Sequence, residues 1–175
     1  MKELFLSCTG GYWYAFDKES VRGVATVPLQ HDSLIKREKG KVYLELPSGE
    51  KAEICNLGLL YTETTSSFSG RHAATAPRNY FYAILHHANR LLAIPMRGRG
   101  KLCMADLAAL QPLPPVFPDA SRQILQGLLI NGQDVFMRLD LDALMQVMDK
   151  IAILRKKKQS LLKRRAQEKE ATHAE

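Results

Sequence analysis

Two neighbouring aspartates and a histidine pair are among the side chains of this sequence that could carry catalytic or metal chemistry. Asp140 and Asp142 are two residues apart, so on a strand both would lie on one face, where they could form an acid/base or metal-binding pair. Neither a histidine nor a third carboxylate adjoins them to complete a site. We interpret them as strand-end carboxylates, with Asp142 capping a helix. His86 and His87 are adjacent, so in a strand they point to opposite faces and cannot bind one metal ion together.

The cysteines give no support for a nucleophile or a metal site. Cys8, Cys55 and Cys103 lack CxxC spacing, and each lies in an apolar stretch, which is typical of small buried side chains. A catalytic pairing of Cys55 with His31 or His72 has no support from spacing. We therefore expect no enzymatic activity, no catalytic residue, no metal and no cofactor.

Composition indicates a soluble protein of one domain or two small ones. The 175 residues are 46% hydrophobic, which is enough for a core but below membrane composition. No apolar run approaches the roughly 18 residues of a transmembrane helix. The first residues carry charges at Lys2 and Glu3 and are interrupted by Gly10 and Gly11, unlike a signal peptide. We expect a cytoplasmic location.

The positive charge is concentrated at the C-terminal end. Of the net +7, residues 150–175 carry nine Lys or Arg and three Glu, which leaves 16 basic and 15 acidic residues before them. The tail could be a solvated helix end, an arm for nucleic acid or an anionic membrane, or a partner-binding helix. The basic residues that could make such contacts are Arg155, Lys156, Lys157, Lys158, Lys163, Arg164 and Arg165.

A second basic segment is Arg97-Gly98-Arg99-Gly100. We interpret it as a flexible cationic loop in which Arg97 and Arg99 could grip phosphate or an RNA backbone. It lacks the GK[ST] ending of a P-loop, and a basic turn between strands is the alternative.

Short apolar runs separated by turn residues predict an all-β fold. Hairpins are predicted for residues 3–8 with 12–16, 41–46 with 52–60, 80–85 with 90–96, and 124–130 with 134–141. Their turns fall at residues 9–11, 47–49, 86–89 and 131–132, and Asn131-Gly132 suits a tight turn with positive φ. For residues 97–100 the sequence predicts a loop.

The last hairpin leads into a basic amphipathic helix. In residues 134–141, Val135, Met137 and Leu139 alternate with Phe136 and Arg138, which predicts a half-buried strand. Helical spacing begins at residue 143, and its apolar positions are Leu144, Val147, Met148, Ile151, Leu154 and Leu161. We expect the first half of this helix to pack on the β body, and the rest to project and fray.

Two pairs of segments resemble each other at an offset of about eighty residues. LFLSCTGGYWYAF and YAILHHANRLLAI are both hairpins with an alanine in the second strand, at Ala15 and Ala93. GEKAEICNLGLL and GQDVFMRLDLDALM share a glycine, a strand and an acidic or amide residue before leucine. These matches predict a duplicated β unit, its copies joined by the Thr/Ser/Ala-rich residues 62–77 and packed face to face.

An ordered series of motifs runs through the two halves of this repeat. In the first half, Tyr14-Ala15-Phe16 precedes Val21-Arg22-Gly23-Val24. The second half contributes Pro112-Leu113-Pro114, Ile124-Leu125-Gln126-Gly127-Leu128-Leu129, residues 132–135 and Asp140-Leu141-Asp142-Ala143-Leu144. The series resembles the CheW-like domain of bacterial chemotaxis adaptors and covers most of residues 3–145. The family's N-L-R-G turn, whose arginine is associated with partner coupling, is missing from both halves.

The resemblance implies two small five-stranded SH3-like β barrels packed around a shared apolar interface. The CheW-like domain would span residues 1–149, with subdomains at 1–61 and 78–145, a linker at 62–77, and the basic helix and tail at 143–175. Its implied function is a non-enzymatic adaptor or scaffold that docks a histidine kinase regulatory domain, a chemoreceptor, or both. We expect the protein-binding residues to be Val21, Arg22, Val24, Pro47, Ser48, Gly49, Asn131 and Gly132. The alternative is a β-barrel nucleic-acid-binding protein that uses residues 97–100 and the tail.

Overall fold

The computed structural model describes residues 1–9, 11–28, 32–38, 40–57 and 79–172. Its strands are β1 Lys2–Thr9, β2 Tyr12–Asp17, β3 Val21–Pro28, β4 Ile35–Glu38, β5 Lys41–Glu45, β6 Lys51–Ile54, β7 Asn79–His87, β8 Arg90–Ala105, β9 Leu125–Asn131 and β10 Asp134–Leu139. The α-helices are α1 Asp119–Ile124 and α2 Leu141–Thr172. The predicted all-β class with a C-terminal helix is confirmed. The predicted linker at 62–77 lies outside the described residues, as does the predicted strand beyond residue 57.

Backbone pairing arranges the described strands into two SH3-like β barrels that share β8. The first barrel has the order β9, β10, β2, β1 and the second half of β8. The second barrel has the order β3, β7, the first half of β8, β6, β5 and β4. The second therefore has six described strands rather than the expected five, and the 16-residue β8 is long enough to supply the fifth strand of the first as well.

The two barrels exchange parts of the chain. The hairpin β1–β2 pairs with β10 of the second half, and the hairpin β7–β8 pairs with β6 of the first half; both of these contacts are parallel. Each barrel thus combines one hairpin from either side of residues 62–77, so cutting the chain there does not separate the barrels. Parallel neighbours need a long connection, which the separation of these segments in sequence provides.

Period-two alternation fills three apolar clusters. One face of the strands fills the interior of each barrel, with Leu4, Leu6, Ala15, Leu129 and Phe136 in the first, and Val27, Leu44, Ala52, Tyr82, Ile84 and Ala93 in the second. The opposite face forms a shared core between the barrels that includes Phe5, Tyr14, Phe16, Ala83, Leu85, Leu92, Ile94, Met137 and Leu139. The predicted burial of one barrel against the other is therefore seen directly in the shared core.

The basic segment at 97–100 is part of a strand rather than the predicted flexible loop. β1 pairs Leu6 with Lys101 and Cys8 with Arg97, so residues 98–100 form a bulge opposite one residue of β1. Gly98 and Gly100 have φ of 71° and 76°, a conformation that favours glycine. Because the bulge accommodates the extra residues, this glycine-containing segment remains part of the β-ladder.

From Phe136 to Leu139, β10 is buried on both faces, not half-buried as predicted. Phe136 fills the first barrel and Met137 the shared core, while Arg138 is only 6% exposed. The Arg138 Nη2 atom lies 2.7 Å from Asp17 Oδ1, and this ion pair offsets part of the cost of burying the guanidinium. The hairpin turn is also shifted by one residue, to residues 132 and 133, because Asn131 pairs with Asp134. Within this turn, Gly132 has a positive φ of 64°.

α2 begins at Leu141, two residues earlier than the apolar spacing predicts. Asp140, not Asp142, caps it: Asp140 Oδ1 accepts a hydrogen bond of 2.9 Å from the Ala143 N–H. The Asp142 carboxylate instead lies 2.7 Å from His87 Nε2 of the second barrel. Leu144, Met145, Met148 and Ala152 are buried against the shared core or beside it, whereas Leu154, a predicted core position, is exposed.

Replacing Leu85 by alanine tests the shared core. Leu85 is fully buried on the shared face of β7, so Leu85→Ala should lower the free energy of unfolding by about 2–5 kcal/mol through lost burial and a residual cavity. Leu102, which is 52% exposed on β8, is the matched control, and Leu102→Ala should change it by about 0.5 kcal/mol or less. Equal effects in urea denaturation would contradict the assignment of Leu85 to the core.

A candidate docking groove on the second barrel

A groove of about 380 Å³ lies on the second barrel between β3 and the β5–β6 hairpin. We call it the β3 groove; its lining is residues 22–27, Leu34, residues 44–48 and Ile84. Leu44 and Ile84 are buried in the barrel interior, and Val24 of the lining is 40% exposed. The groove therefore has an apolar floor that solvent and a partner can reach.

β3 is an edge strand beside this groove. Among the described strands it pairs with β7 alone, so its other backbone edge has no ladder partner there. Its pairing with β7 changes register between Val21 and Gly23, which makes Arg22 the extra residue of a β-bulge. Bulges bend a strand and redirect a side chain, and this one directs Arg22 towards the β5–β6 turn.

The β5–β6 turn forms the charged end of the groove. The Gly49 N–H donates a 2.8 Å hydrogen bond to the Leu46 carbonyl, and Gly49 has φ of 80°. Arg22 Nη1 donates to Glu50 Oε1 at 2.7 Å, and Ser48 Oγ donates to Glu50 Oε2 at 2.7 Å. The bond from Arg22, then that from Ser48, lowers the pKa of Glu50, and Glu50 in turn raises the pKa of Arg22. Both side chains remain largely exposed, so an acidic partner could compete for the guanidinium.

The groove brings together most of the protein-binding residues predicted in the first half of the chain. Arg22, Val24, Pro47 and Ser48 line it, and Gly49 completes its turn. Val21 differs, because its side chain is partly buried against the shared core and does not face the groove.

The remaining predicted residues lie elsewhere. Asn131 and Gly132 are at the β9–β10 hairpin of the first barrel. Arg97 and Arg99 are exposed in β8, and residues 155–158 are exposed on α2. The side chains of Lys163, Arg164 and Arg165 are outside the part of the structure that is described.

A charge cluster that holds α2 on the second barrel was not predicted from the sequence. Lys41 Nζ donates to Glu53 Oε2 at 3.0 Å and to Asp149 Oδ1 at 2.9 Å. Arg90 donates to the same two carboxylates at 2.6 Å and 2.9 Å. Burial would raise the pKa of Asp149, but the hydrogen bonds from Lys41 and Arg90 outweigh it and lower that pKa. The four residues are spread over more than a hundred positions, so spacing gave no signal for them.

The cysteine considered as a nucleophile is inaccessible in the described structure. Cys55 is buried, and burial raises the pKa of its thiol to about 12, which leaves it protonated and unreactive near neutral pH. His31 and His72 lie outside the described residues. Within the described ranges, no three His, Cys, Asp or Glu side chains cluster as metal ligands. None of the helices there combines the length and apolar composition needed to cross a bilayer.

Comparison with known proteins gives a match at the level of fold. Neither a family model nor a curated protein matches this sequence. Among solved structures, the crystal structure of the scaffolding protein TtCheW from Thermoanaerobacter tengcongensis matches with a TM-score of 0.55 and 13% sequence identity. The match covers 80% of this chain and 84% of that one. The fold is therefore CheW-like, as the motif series predicts.

Replacing Asp149 by asparagine tests the charge cluster and its pH dependence. The lowered pKa means that Asp149 stabilises the fold above the unfolded-state value of about 3.9, and that this contribution is lost as the pH falls through the folded-state value. Asp149→Asn should therefore cost about 0.5–1 kcal/mol at pH 7, as for a partly exposed ion pair, and nothing at strongly acid pH.

Asp134, which is 3.6 Å from Lys101 on the surface of the first barrel, is the matched control for this experiment. Asp134→Asn should have a smaller effect at pH 7. A pH-independent difference between Asp149→Asn and the unmodified chain would contradict the electrostatic role.

Alkylation by iodoacetamide at pH 8 tests the burial of Cys55. In the folded protein Cys55 should remain unmodified, because both access and thiolate formation are suppressed, and it should react once urea unfolds the chain. Cys8 is only partly buried and is the internal reference. Modification of Cys55 at the rate of Cys8 in the native protein would contradict this description.

Proposed function

We propose that this chain is a non-enzymatic adaptor of the chemotaxis type that docks protein partners through the surfaces of its β barrels. The partners are the regulatory domain of a sensor histidine kinase, a chemoreceptor, or both. The observation that carries the proposal is the β3 groove, because it combines an apolar floor, a charged end and a strand edge that has no ladder partner among the described residues. A CheW-like fold, shared with a protein described as a scaffold, is consistent with this role.

The β3 groove suits the docking of another β module. An unpaired strand edge can hydrogen-bond to an incoming strand, while an adjoining apolar pocket selects alternate side chains. Val24 would contact such a strand from the centre of the edge, and Arg22 would fix its register by pairing with an acidic group in place of Glu50. Pro47, Ser48 and Gly49 would border the contact at the turn.

A second contact is proposed at the hairpin that contains Asn131 and Gly132. Beside this turn, Tyr12, Ile130 and Val135 are 59%, 51% and 49% exposed. Ile130 pairs directly with Val135, and β2 with Tyr12 is the next strand, so the three lie in a row across adjacent strands. Exposed apolar side chains grouped in this way mark interaction surfaces more often than isolated ones do. The first barrel could therefore bind a partner of its own.

The nucleic-acid alternative depends on positive charge rather than on the groove. Its first element, the basic segment at residues 97–100, is not the flexible loop expected from the sequence, because Arg97 and Arg99 belong to a bulged strand. Its second element, the basic tail, would give binding that falls steeply with salt. A kinase or chemoreceptor partner would place the adaptor in the cytoplasm.

A pair of variants tests the docking role of the groove. Binding of the full chain to a purified CheW-like regulatory domain of a chemotaxis histidine kinase, and to a chemoreceptor signalling fragment, would be measured by calorimetry. Val24→Asp buries a charge in the contact and should weaken at least one of these interactions about tenfold or more. Leu102→Asp, an equally drastic change at a 52% exposed site of β8, should leave that interaction unchanged.

Two results would overturn the proposal. One is the absence of binding to both partners by the unmodified chain. The other is tight binding to RNA that disappears at high salt, with Val24→Asp having no effect on any protein partner. The first would remove the adaptor role, and the second would favour the nucleic-acid alternative.

A further inference from the structure

α2 is much longer than the surface that the two barrels offer it. Its 32 residues extend about 48 Å at 1.5 Å per residue. The last buried side chain among those described on it is Ala152, at 7% exposure. Beyond that point large apolar side chains reach solvent: Ile153, Leu154, Leu161 and Leu162 are 54%, 63%, 57% and 56% exposed.

Two of the exposed leucines, Leu154 and Leu161, extend an apolar stripe that is separate from the buried one. The buried stripe consists of Leu141, Leu144, Met145, Met148 and Ala152. The second stripe consists of Val147, Ile151, Leu154 and Leu161, centred about 120° around the helix at 100° per residue. Its spacing of four, three and seven is that of a helix that packs against another helix. Val147 and Ile151 are partly buried, so the stripe begins on the body and continues into solvent.

Lys158 occupies the position where this heptad stripe lacks an apolar residue. Arg155 and Lys157 flank the stripe on its two sides and are exposed, as is Lys158. In sequence, residues 155–165 contain seven Lys or Arg and no Asp or Glu. A second copy of this chain would place these cations against one another, which disfavours pairing of the helix with itself.

The same features distinguish an acidic partner helix from an anionic membrane and from a nucleic acid. Residues 150–172 contain no aromatic side chain, and Lys158 divides the stripe, whereas helices that lie in membranes present a broad apolar face. A nucleic acid would leave the leucines unused. We propose that the projecting part of α2 binds an acidic amphipathic helix of another protein, whose apolar side chains cover Leu154 and Leu161 and whose carboxylates pair with Arg155, Lys157 and Lys158.

The probe for this proposal is a synthetic acidic peptide with apolar residues at heptad core positions and Glu at the flanking positions. A peptide of the same composition, shuffled so that its apolar residues share no face, is the charge-matched control. Fluorescence anisotropy with the full-length chain should detect binding of the amphipathic peptide and at least tenfold weaker binding of the shuffled one. Circular dichroism would check that each variant retains its helix.

Variants of the chain assign the binding to the stripe. Leu154→Ser with Leu161→Ser should weaken binding of the amphipathic peptide at least tenfold. Ile153→Ser removes a side chain of similar exposure on a different face of the helix and should have no effect. Val24→Asp should also have no effect, because the helix site is independent of the β3 groove, so failure of either proposal leaves the other testable.

Three outcomes would overturn the inference. Equal binding of the shuffled peptide would indicate a site for charge alone. Concentration-dependent dimerisation in ultracentrifugation, abolished by the two serine substitutions, would assign the stripe to a second copy of the chain. Tighter binding to vesicles containing phosphatidylserine than to the peptide, lost in the same variant, would assign the stripe to a membrane surface.

Discussion

The structure depends on burial of both faces of the same strands. β1, β2, β7, β8 and β10 each direct alternate apolar residues into a barrel and the intervening ones into the shared core. A barrel of this size standing alone would expose Phe16 or Leu85 to water, at a cost of about 1.5–3 kcal/mol for each large side chain. The two barrels therefore stabilise one another, and neither is expected to persist without its partner.

Strand exchange strengthens this mutual dependence. The hairpin β1–β2 is completed by β10 and the hairpin β7–β8 by β6, so each barrel needs segments from both halves of the chain. With their shared faces covered, the barrels can offer partners only their outer surfaces, strand edges and turns. The β3 groove and the β9–β10 turn, where we propose contacts with partners, are such places.

Local patterns predicted much of the fold because they act over short distances. The hairpins and the helix follow from alternation, turn residues and helical spacing, and the repeat in sequence indicated that one unit would pack on another. The exchange of strands was not predictable, since the repeat identifies similar segments but not which copy of a segment each hairpin pairs with. Arg138 was assigned to solvent for a related reason: only the position of Asp17 on the neighbouring strand β2 makes its burial favourable.

The candidate groove was predicted in part because its residues lie in two local segments, Arg22 with Val24 and the turn after Leu46. The charge cluster that positions α2 was missed because Lys41, Glu53, Arg90 and Asp149 become neighbours only after the barrels form. This cluster also constrains the direction of the helix. Paired carboxylates and cations tolerate little displacement, so the ion pairs of Asp149 add to the burial of Leu144 and Met145 in setting the rotation of α2 about its axis. That rotation turns Met148 and Ala152 towards the body and leaves Leu154 facing solvent, so the exposed stripe is a consequence of how the helix is anchored.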